Sequence, residues 1–241
     1  MNSLEIMPGL SISNDLCAIL GRQKAVVISD LHIGYESVME DSGLHLPRIQ
    51  TASMREALLR IMERHAPEQV IILGDLKHEF SRNLAQEWNE VREFLSVITE
   101  RAETIVIRGN HDNYLAAISS KLGLTLVDEY ESDGIHFAHG HEYTAKRPLV
   151  IGHEHPSVRL FDSVGACLKM PCFVHLPEQQ VLVVPAFSPL ASGTSFNSIE
   201  ADDCLSPILK RADLGEARAY ACSEIGLMSL GKLSSLGKGS R

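Results

Sequence analysis

The sequence predicts an α/β protein made of two β-sheets with helices outside, a four-layer α-β-β-α sandwich. Three observations predict it. Between residues 24 and 123, apolar runs of strand type alternate with stretches of helical periodicity. From residue 125 onward, short strand-like runs follow one another without a long helix. Most of the chemistry-bearing residues come directly after an apolar run, at strand ends, where α/β proteins build their sites.

Each element can be justified in order. Residues 24–29 (KAVVIS) read as a buried strand that runs into Asp30. Residues 48–65 carry Ile49, Ala52, Met54, Leu58, Leu59, Ile61 and Met62 at helical spacing, and Pro67 stops the helix. Residues 69–73 (QVIIL) form a second strand, ending at Gly74-Asp75. Residues 84–99 read as a helix through Trp88, Val91, Phe94, Leu95 and Ile98. Residues 103–107 (ETIVI) form a third strand, and residues 115–122 a short helix closed by Gly123. Strand–helix–strand alternation implies parallel strands with right-handed crossovers.

The runs at 125–127, 134–138, 149–151, 158–161, 167–176, 180–184 and 218–230 imply a mixed or antiparallel second sheet packed on the first. Residues 188–207 are rich in Ser, Pro, Asn and Asp and read as a long loop. Residues 1–230 are expected to be one domain, and the polar, glycine-rich residues 231–241 to fray.

Composition excludes several classes. A chain of 241 residues, 44% apolar and 22% charged, has the profile of a globular protein with one sizeable core. Its apolar runs are far shorter than the ~18 residues a membrane span needs. Residues 1–10 lack the basic start and apolar segment of a signal peptide, so a cytoplasmic protein without a membrane partner is expected. The net charge of −9 argues against nucleic-acid binding by the whole surface. Bound cations would reverse that sign locally. Cys17, Cys167, Cys172, Cys204 and Cys222 are odd in number and contain no C-x-x-C pair, which points to reduced thiols.

Five motifs carry the chemistry: Asp30-Leu31-His32, Gly74-Asp75, Gly109-Asn110-His111-Asp112, His139-Gly140-His141 and Gly152-His153-Glu154-His155. Turn chemistry accounts for one such motif, because Asp, Asn and Gly favour strand ends. It does not account for metal-ligand types in all of them. Asp30 and His32, like His153 and His155, are two apart and project to one side of an extended strand end. Counting gives Asp30, His32, Asp75 and His155 for one divalent cation. Asp75, Asn110, His139 and His153 serve a second, with Asp75 bridging. Mixed oxygen and imidazole ligands without thiolate suit Mn, Fe or Zn better than Mg alone, and manganese is placed first. Two cations sharing a water would bring its pKa toward neutrality and supply hydroxide to a phosphorus atom. His111 follows a ligand and is the candidate general acid, with Asp112 to orient it or to cap the following helix. His78, three residues after Asp75, is a second imidazole placed to reach phosphate or leaving group.

The series D-x-H, G-D, G-N-H-D, H-G-H, G-H-x-H resembles the calcineurin-like metallophosphoesterase superfamily. The resemblance implies a pair of β-sheets flanked by helices. It carries the metal-ligand roles onto Asp30, His32, Asp75, Asn110, His139, His153 and His155 and the proton-donor role onto His111. It assigns His139 rather than His141 as ligand. The stretches 29–34 (SDLHIG), 74–78 (GDLKH), 152–156 (GHEHP) and 185–190 (PAFSPL) resemble small prokaryotic SbcD-related and DNA-ligase-associated phosphoesterases. The larger repair nucleases add a DNA-recognition cap and a segment docking on an ATPase coiled coil, and this length is not expected to hold both. The implied activity is hydrolysis of a phosphoester, with phosphodiesters of nucleic acid or nucleotide type first. A broad phosphomonoesterase and a catalytically inactive binding scaffold are the alternatives. The oligomeric state stays open, a homodimer included.

Overall fold

An antiparallel meander opens the chain: β1 (Ser3–Met7), β2 (Leu10–Ser13), β3 (Cys17–Leu20) and β4 (Ala25–Ile28). The computed structural model describes residues 2–44, 49–78, 85–112, 115, 116, 119, 121, 123–162 and 164–236. After β4 come α1 (Tyr35–Asp41), α2 (Gln50–His65), β5 (Gln69–Leu73), α3 (Ala85–Thr99), β6 (Glu103–Ile107) and β7 (Thr125–Val127). The first sheet runs β1 to β7 in sequence order, and β4 to β7 are parallel. The three meander strands and α1 have no counterpart in the sequence reading, since four- and five-residue runs broken by turn residues carry little periodicity. Leu84, and residues 117, 118, 120 and 122 of the expected short helix, lie outside the described residues.

The second sheet contains β8 (Glu129–Ser132), β9 (Ile135–Ala138), β10 (Leu149–Ile151), β11 (Pro156–Phe161), β12 (Cys167–Leu176), β13 (Val181–Val183), β14 (Thr194–Ser195), β15 (Arg218–Ser223) and β16 (Gly226–Lys232). Its order is β14-β11-β12-β13-β10-β9-β8, with β15 on β12 and β16 on β15. Pairing is mixed: β9, β10 and β13 are parallel, and the β11–β12 and β15–β16 hairpins antiparallel.

Period-2 alternation sorts the apolar residues into three layers of core. Val26, Ile28, Val70, Ile72 and Val106 face α2 and α3, meeting Met54, Leu58, Phe94 and Leu95. Val27, Ile71, Leu73 and Ile107 point the other way, onto Phe137, Val150, Phe173 and Leu182 of the second sheet. Leu149, Ile151, Val174, Val183 and Ala219 face outward again, beneath Phe196, Leu209, Leu214 and Leu233. That last cover is thin: single-turn 3-10 helices at Ala201–Asp203, Leu209–Arg211, Leu214–Glu216 and Leu233–Ser235 supply it. Two mixed sheets back to back, with the long helices outside the first, give the predicted α/β class.

Of the expected tail, residues 231–241, the structure describes residues 231–236. Strand β16 runs through Lys232, Leu233 is buried, and its N–H donates to the Ala217 carbonyl at 2.8 Å. An apolar side chain with a core position and a paired amide holds the chain down. Residues 237–241 of that stretch lie outside the described residues. Among the described residues, no helix is long and apolar enough to cross a membrane.

Candidate metal centre

The ends of β4, β5 and β6 in the first sheet and of β9 and β10 in the second converge at one edge of the sandwich. The parallel pairing of β4 and β5 continues past the strands. His32 N–H donates to the Asp75 carbonyl and Ile33 N–H to the Leu76 carbonyl, both at 2.8 Å. The side chains meet here because the backbone turns left-handed at them. Asp30 (φ 53°), His32 (46°), Asp75 (48°), His153 (69°) and His155 (45°) all have positive φ. Each such residue costs on the order of 1 kcal/mol when it is not glycine. The i, i+2 pairs do share one side, but through this left-handed backbone and not through an extended strand end. The middle residues, Leu31 and Glu154, are buried on the opposite side.

Glycine is required where the loops touch. A Cβ on Gly109 would lie 2.1 Å from Asp75 Oδ1, and one on Gly152 would lie 1.7 Å from Ser29 Oγ. The motif glycines thus let the ligand loops pack within contact of one another.

Two groups of ligand-type atoms result: Asp30, His32 and His155, and Asp75, His139 and His153. In the first, His32 Nε2 and His155 Nε2 are 3.0 Å apart, and His155 Nε2 is 3.4 Å from Asp30 Oδ1. In the second, His139 Nε2 lies 3.1 Å from His153 Nδ1, 3.1 Å from Asn110 Oδ1 and 3.4 Å from Asp75 Oδ2. Asp75 Oδ2 is also 4.0 Å from His32 Nε2, so this carboxylate lies between the groups. His139 Nδ1–H donates to the Leu73 carbonyl at 2.7 Å, which turns the Nε2 lone pair inward. Three lone-pair atoms around one imidazole nitrogen cannot all be satisfied by the proton or two available. Divalent cations satisfy them all, and the donor set fits such ions.

Protonation in the metal-free protein follows the same crowding. Burial opposes charge on His139, but the hydrogen bond to Asp75 and the nearby Asp30 outweigh it and raise the ring to about 9. Burial brings His32 down to about 3 and His153 down to about 4. Burial works against the Asp30 carboxylate, yet the His155, His139 and His32 rings hold it below the usual range.

The remaining predicted residues surround the two groups. His111 N–H donates to Asp75 Oδ1 at 2.9 Å, and its ring Nδ1 is 2.5 Å from the His78 carbonyl. The His111 ring centre is 5.4 Å from that of His32. His78 stacks on His111 at 5.9 Å and meets Tyr35 edge-on at 4.1 Å. Both oxygens of Asp112 accept from backbone N–H groups, of Leu76 at 3.0 Å and Gly109 at 2.9 Å, so it ties the β5 and β6 loops together. Burial raises its carboxyl to about 6. His141 stands behind the second group, its ring 5.2 Å from His139.

The sequence reading missed the braces. Gln50, buried at the start of α2, donates from Nε2 to the His32 carbonyl at 3.0 Å and to Ser188 Oγ at 2.7 Å. Ser206 N–H donates to Glu154 Oε1 at 2.5 Å, and Ser206 Oγ donates to the Gly140 carbonyl at 2.6 Å. One buried serine thereby ties the two ligand loops of the second sheet. Alternation in His153-Glu154-His155 marks Glu154 as facing away, but nothing local marks Gln50 or Ser206.

Comparison with known proteins agrees with this geometry. No curated protein matches the chain. The crystal structure of Pseudomonas putida nuclease MPE superposes with a TM-score of 0.70, covering 95% of this chain and 98% of that one at 23% identity. That likeness establishes the fold. YfcE, a phosphoesterase from E. coli, aligns at 16% identity over 88% of this chain and 94% of its own, with a TM-score of 0.42. The family described as calcineurin-like phosphoesterase matches residues 24–214, a span that holds every ligand-type residue above. The chain therefore belongs to the calcineurin-like phosphoesterases and is a metal-dependent phosphoesterase.

Proposed function

We propose that this enzyme hydrolyses phosphodiesters of nucleic acid or nucleotide type, using two divalent cations with manganese preferred. Asp30, His32, Asp75 and His155 would hold one cation, and Asp75, Asn110, His139 and His153 the other. Cations bound there supply neutralisation of phosphate charge and acidification of water. The observation that favours a diester is that a separate cleft opens beside each ligand group. One is lined by His139, His141, Arg108 and Lys146, the other by His155, Ser157, Lys169 and Pro171. A diester carries a substituent on each side of phosphorus, whereas a monoester carries one. The Pseudomonas putida neighbour is described as a nuclease, which accords with this reading.

The chain's own residues orient the substrate and move the proton. His111 with Nδ1–H given to the His78 carbonyl keeps Nε2 as the atom that carries the acidic proton to the leaving oxygen. His78 stacks on that ring and is itself packed edge-on by Tyr35.

The test uses metal-free protein with Mn, Mg, Zn or Fe(II) added. Turnover of bis-p-nitrophenyl phosphate, p-nitrophenyl phosphate, cyclic nucleotides and short single-stranded DNA is compared. Diester turnover above monoester turnover, strongest with Mn and lost in Asp75→Ala, is expected. Dominant monoester turnover overturns the diesterase reading. His111→Ala is expected to lower kcat about 10²- to 10⁴-fold on substrates with poor leaving groups and much less on p-nitrophenyl esters.

A further inference from the structure

The β11–β12 hairpin leaves the metal centre directly after His155. Residues 157, 159 and 161 alternate onto one face of β11, and the register sets Ser157 opposite Pro171, Arg159 opposite Lys169 and Phe161 opposite Cys167. The cleft that reaches His155 is lined by Ser157, Lys169 and Pro171. This face therefore runs outward from a proposed ligand, past a pair of cations, to an aromatic ring.

The cation pair makes no structural sense by itself. Like charges directly opposite on antiparallel strands destabilise the pairing. Lys24, Lys146 and Lys232 each hold a carboxylate at 2.6 Å. Among the described residues, neither Arg159 nor Lys169 forms an ion pair, in a chain whose net charge is −9. Lys169 Nζ is placed on the Gly193 carbonyl at 2.6 Å. The backbone at Arg159 is pinned on both groups by Asn197, which accepts from its N–H at 3.0 Å and donates to its carbonyl at 2.8 Å. Phe161 is 44% exposed on the same face. Cations that track a backbone, followed by an exposed ring, are how proteins grip single-stranded nucleic acid.

We propose that this hairpin face is a subsite for the single-stranded polynucleotide flanking the scissile phosphate, with Arg159 and Lys169 taking a neighbouring phosphate and Phe161 stacking on a base. The proposal rests on the diesterase reading and gives it a substrate class. It also explains how an acidic protein can hold an anionic strand: the contact is confined to this face and the metal centre.

The full chain, Arg159→Ala, Arg159→Ala/Lys169→Ala and Phe161→Ala are compared in two assays. In the first, metal-free protein binds fluorescent oligodeoxythymidylates of graded length, read by anisotropy over a range of salt. The double variant is expected to bind the longer strands at least about tenfold more weakly, with a salt slope shallower by about 0.7 for the one lost phosphate. Phe161→Ala is expected to lose about fivefold or more, with the slope unchanged and binding restored in Phe161→Tyr. In the second, Mn-loaded protein hydrolyses bis-p-nitrophenyl phosphate, and Arg159→Ala and Phe161→Ala, which lie outside both clefts beside the ligand groups, should stay within twofold of the parent. Unchanged binding and salt slope in the double variant overturn the subsite while leaving the diesterase reading intact. Strand binding that responds as expected, in a protein that hydrolyses no diester, overturns the diesterase reading and leaves the subsite. An equal loss on the small diester assigns these residues to support of the metal centre and overturns the subsite.

Discussion

The loop Asp30-Leu31-His32 after β4 and the loop His153-Glu154-His155 after β10 share a backbone pattern, with a left-handed residue, a buried residue and a second left-handed residue. Each presents two ligand-type side chains on one side. Their anchors differ. Leu31 is fully buried in the core under the helices, and its loop is laced to the β5 loop by the bonds from His32 and Ile33. Glu154 is buried too, but as a carboxyl group. One oxygen accepts from Ser206 N–H, and the other has no hydrogen-bond partner among the described residues. The same strained backbone is thus held by apolar packing in one sheet and by a polar strut in the other. A parallel sheet covered by long helices has apolar depth to spare behind its strand ends. The second sheet, covered by single-turn helices, ties its loop to the segment that crosses behind it.

Removing a ligand from either loop should have the largest effect and treat the loops alike. His32→Ala and His153→Ala are each expected to cut diester turnover more than the roughly 100-fold that loss of an outer partner costs. Each should also leave one tightly bound cation where the proposed parent site holds two, measured by elemental analysis after gel filtration. Full metal content in either variant would break the assignment of that loop to a cation.

The anchors should then separate the loops. Leu31→Ala opens a cavity in a dense core, and a loss of about 2–5 kcal/mol is expected by urea unfolding. Glu154→Ala removes only a strut, and leaving the buried Ser206 N–H unpaired costs about 1–3 kcal/mol. Its larger effect should be on the metal, weakening the cation held by His153 about 10- to 100-fold in calorimetric titration. Glu154→Gln keeps an acceptor for Ser206 and should restore most of that affinity. If Glu154→Ala costs stability on the scale of Leu31→Ala while metal affinity holds, the contrast between packing and strut is wrong.

These anchors also mark the limit of what could be read from sequence. The parallel strands β5 and β6 were legible to the residue because buried strands read as unbroken apolar runs, QVIIL and ETIVI. The ligand-type residues were legible because they are chemically distinctive side chains in short motifs, with Asp75, Asn110, His139 and His153 each beside a glycine. The left-handed backbone that brings them together was not, since Asp and His carry no conformational signature as glycine does. Gln50 and Ser206 are far from the motifs in sequence, and only the packing of α2 and of the 201–216 turns puts them there. The bonds of Asp112 were not legible: the motif shows that it follows His111 but not that Leu76 and Gly109 donate to its oxygens.

The pH dependence tests whether the loops are electrostatically equivalent without metal. Burial leaves His32 near 3 and His153 near 4, against an ordinary 6.5. Each ring is neutral in the fold and takes up a proton on unfolding at any pH between its folded value and 6.5. Metal-free stability should therefore fall as pH drops below 6.5, down to about 3 to 4, with a share from each loop. His139 acts with the opposite sign. Raised to about 9, it holds a proton in the fold that the unfolded chain releases above 6.5. Its contribution is complete below 6.5 and is lost as pH rises through about 9. Thermal unfolding of metal-free protein should accordingly peak near neutral pH. His32→Ala and His153→Ala should flatten the acid side by similar amounts, and His139→Ala should flatten only the basic side. Saturating Mn should raise the basic side most, because bound cations take the place of the His139 proton. A basic decline that persists in His139→Ala would show that the proton shared with Asp75 is not what holds the two sheets' ligand loops together when the metals are gone.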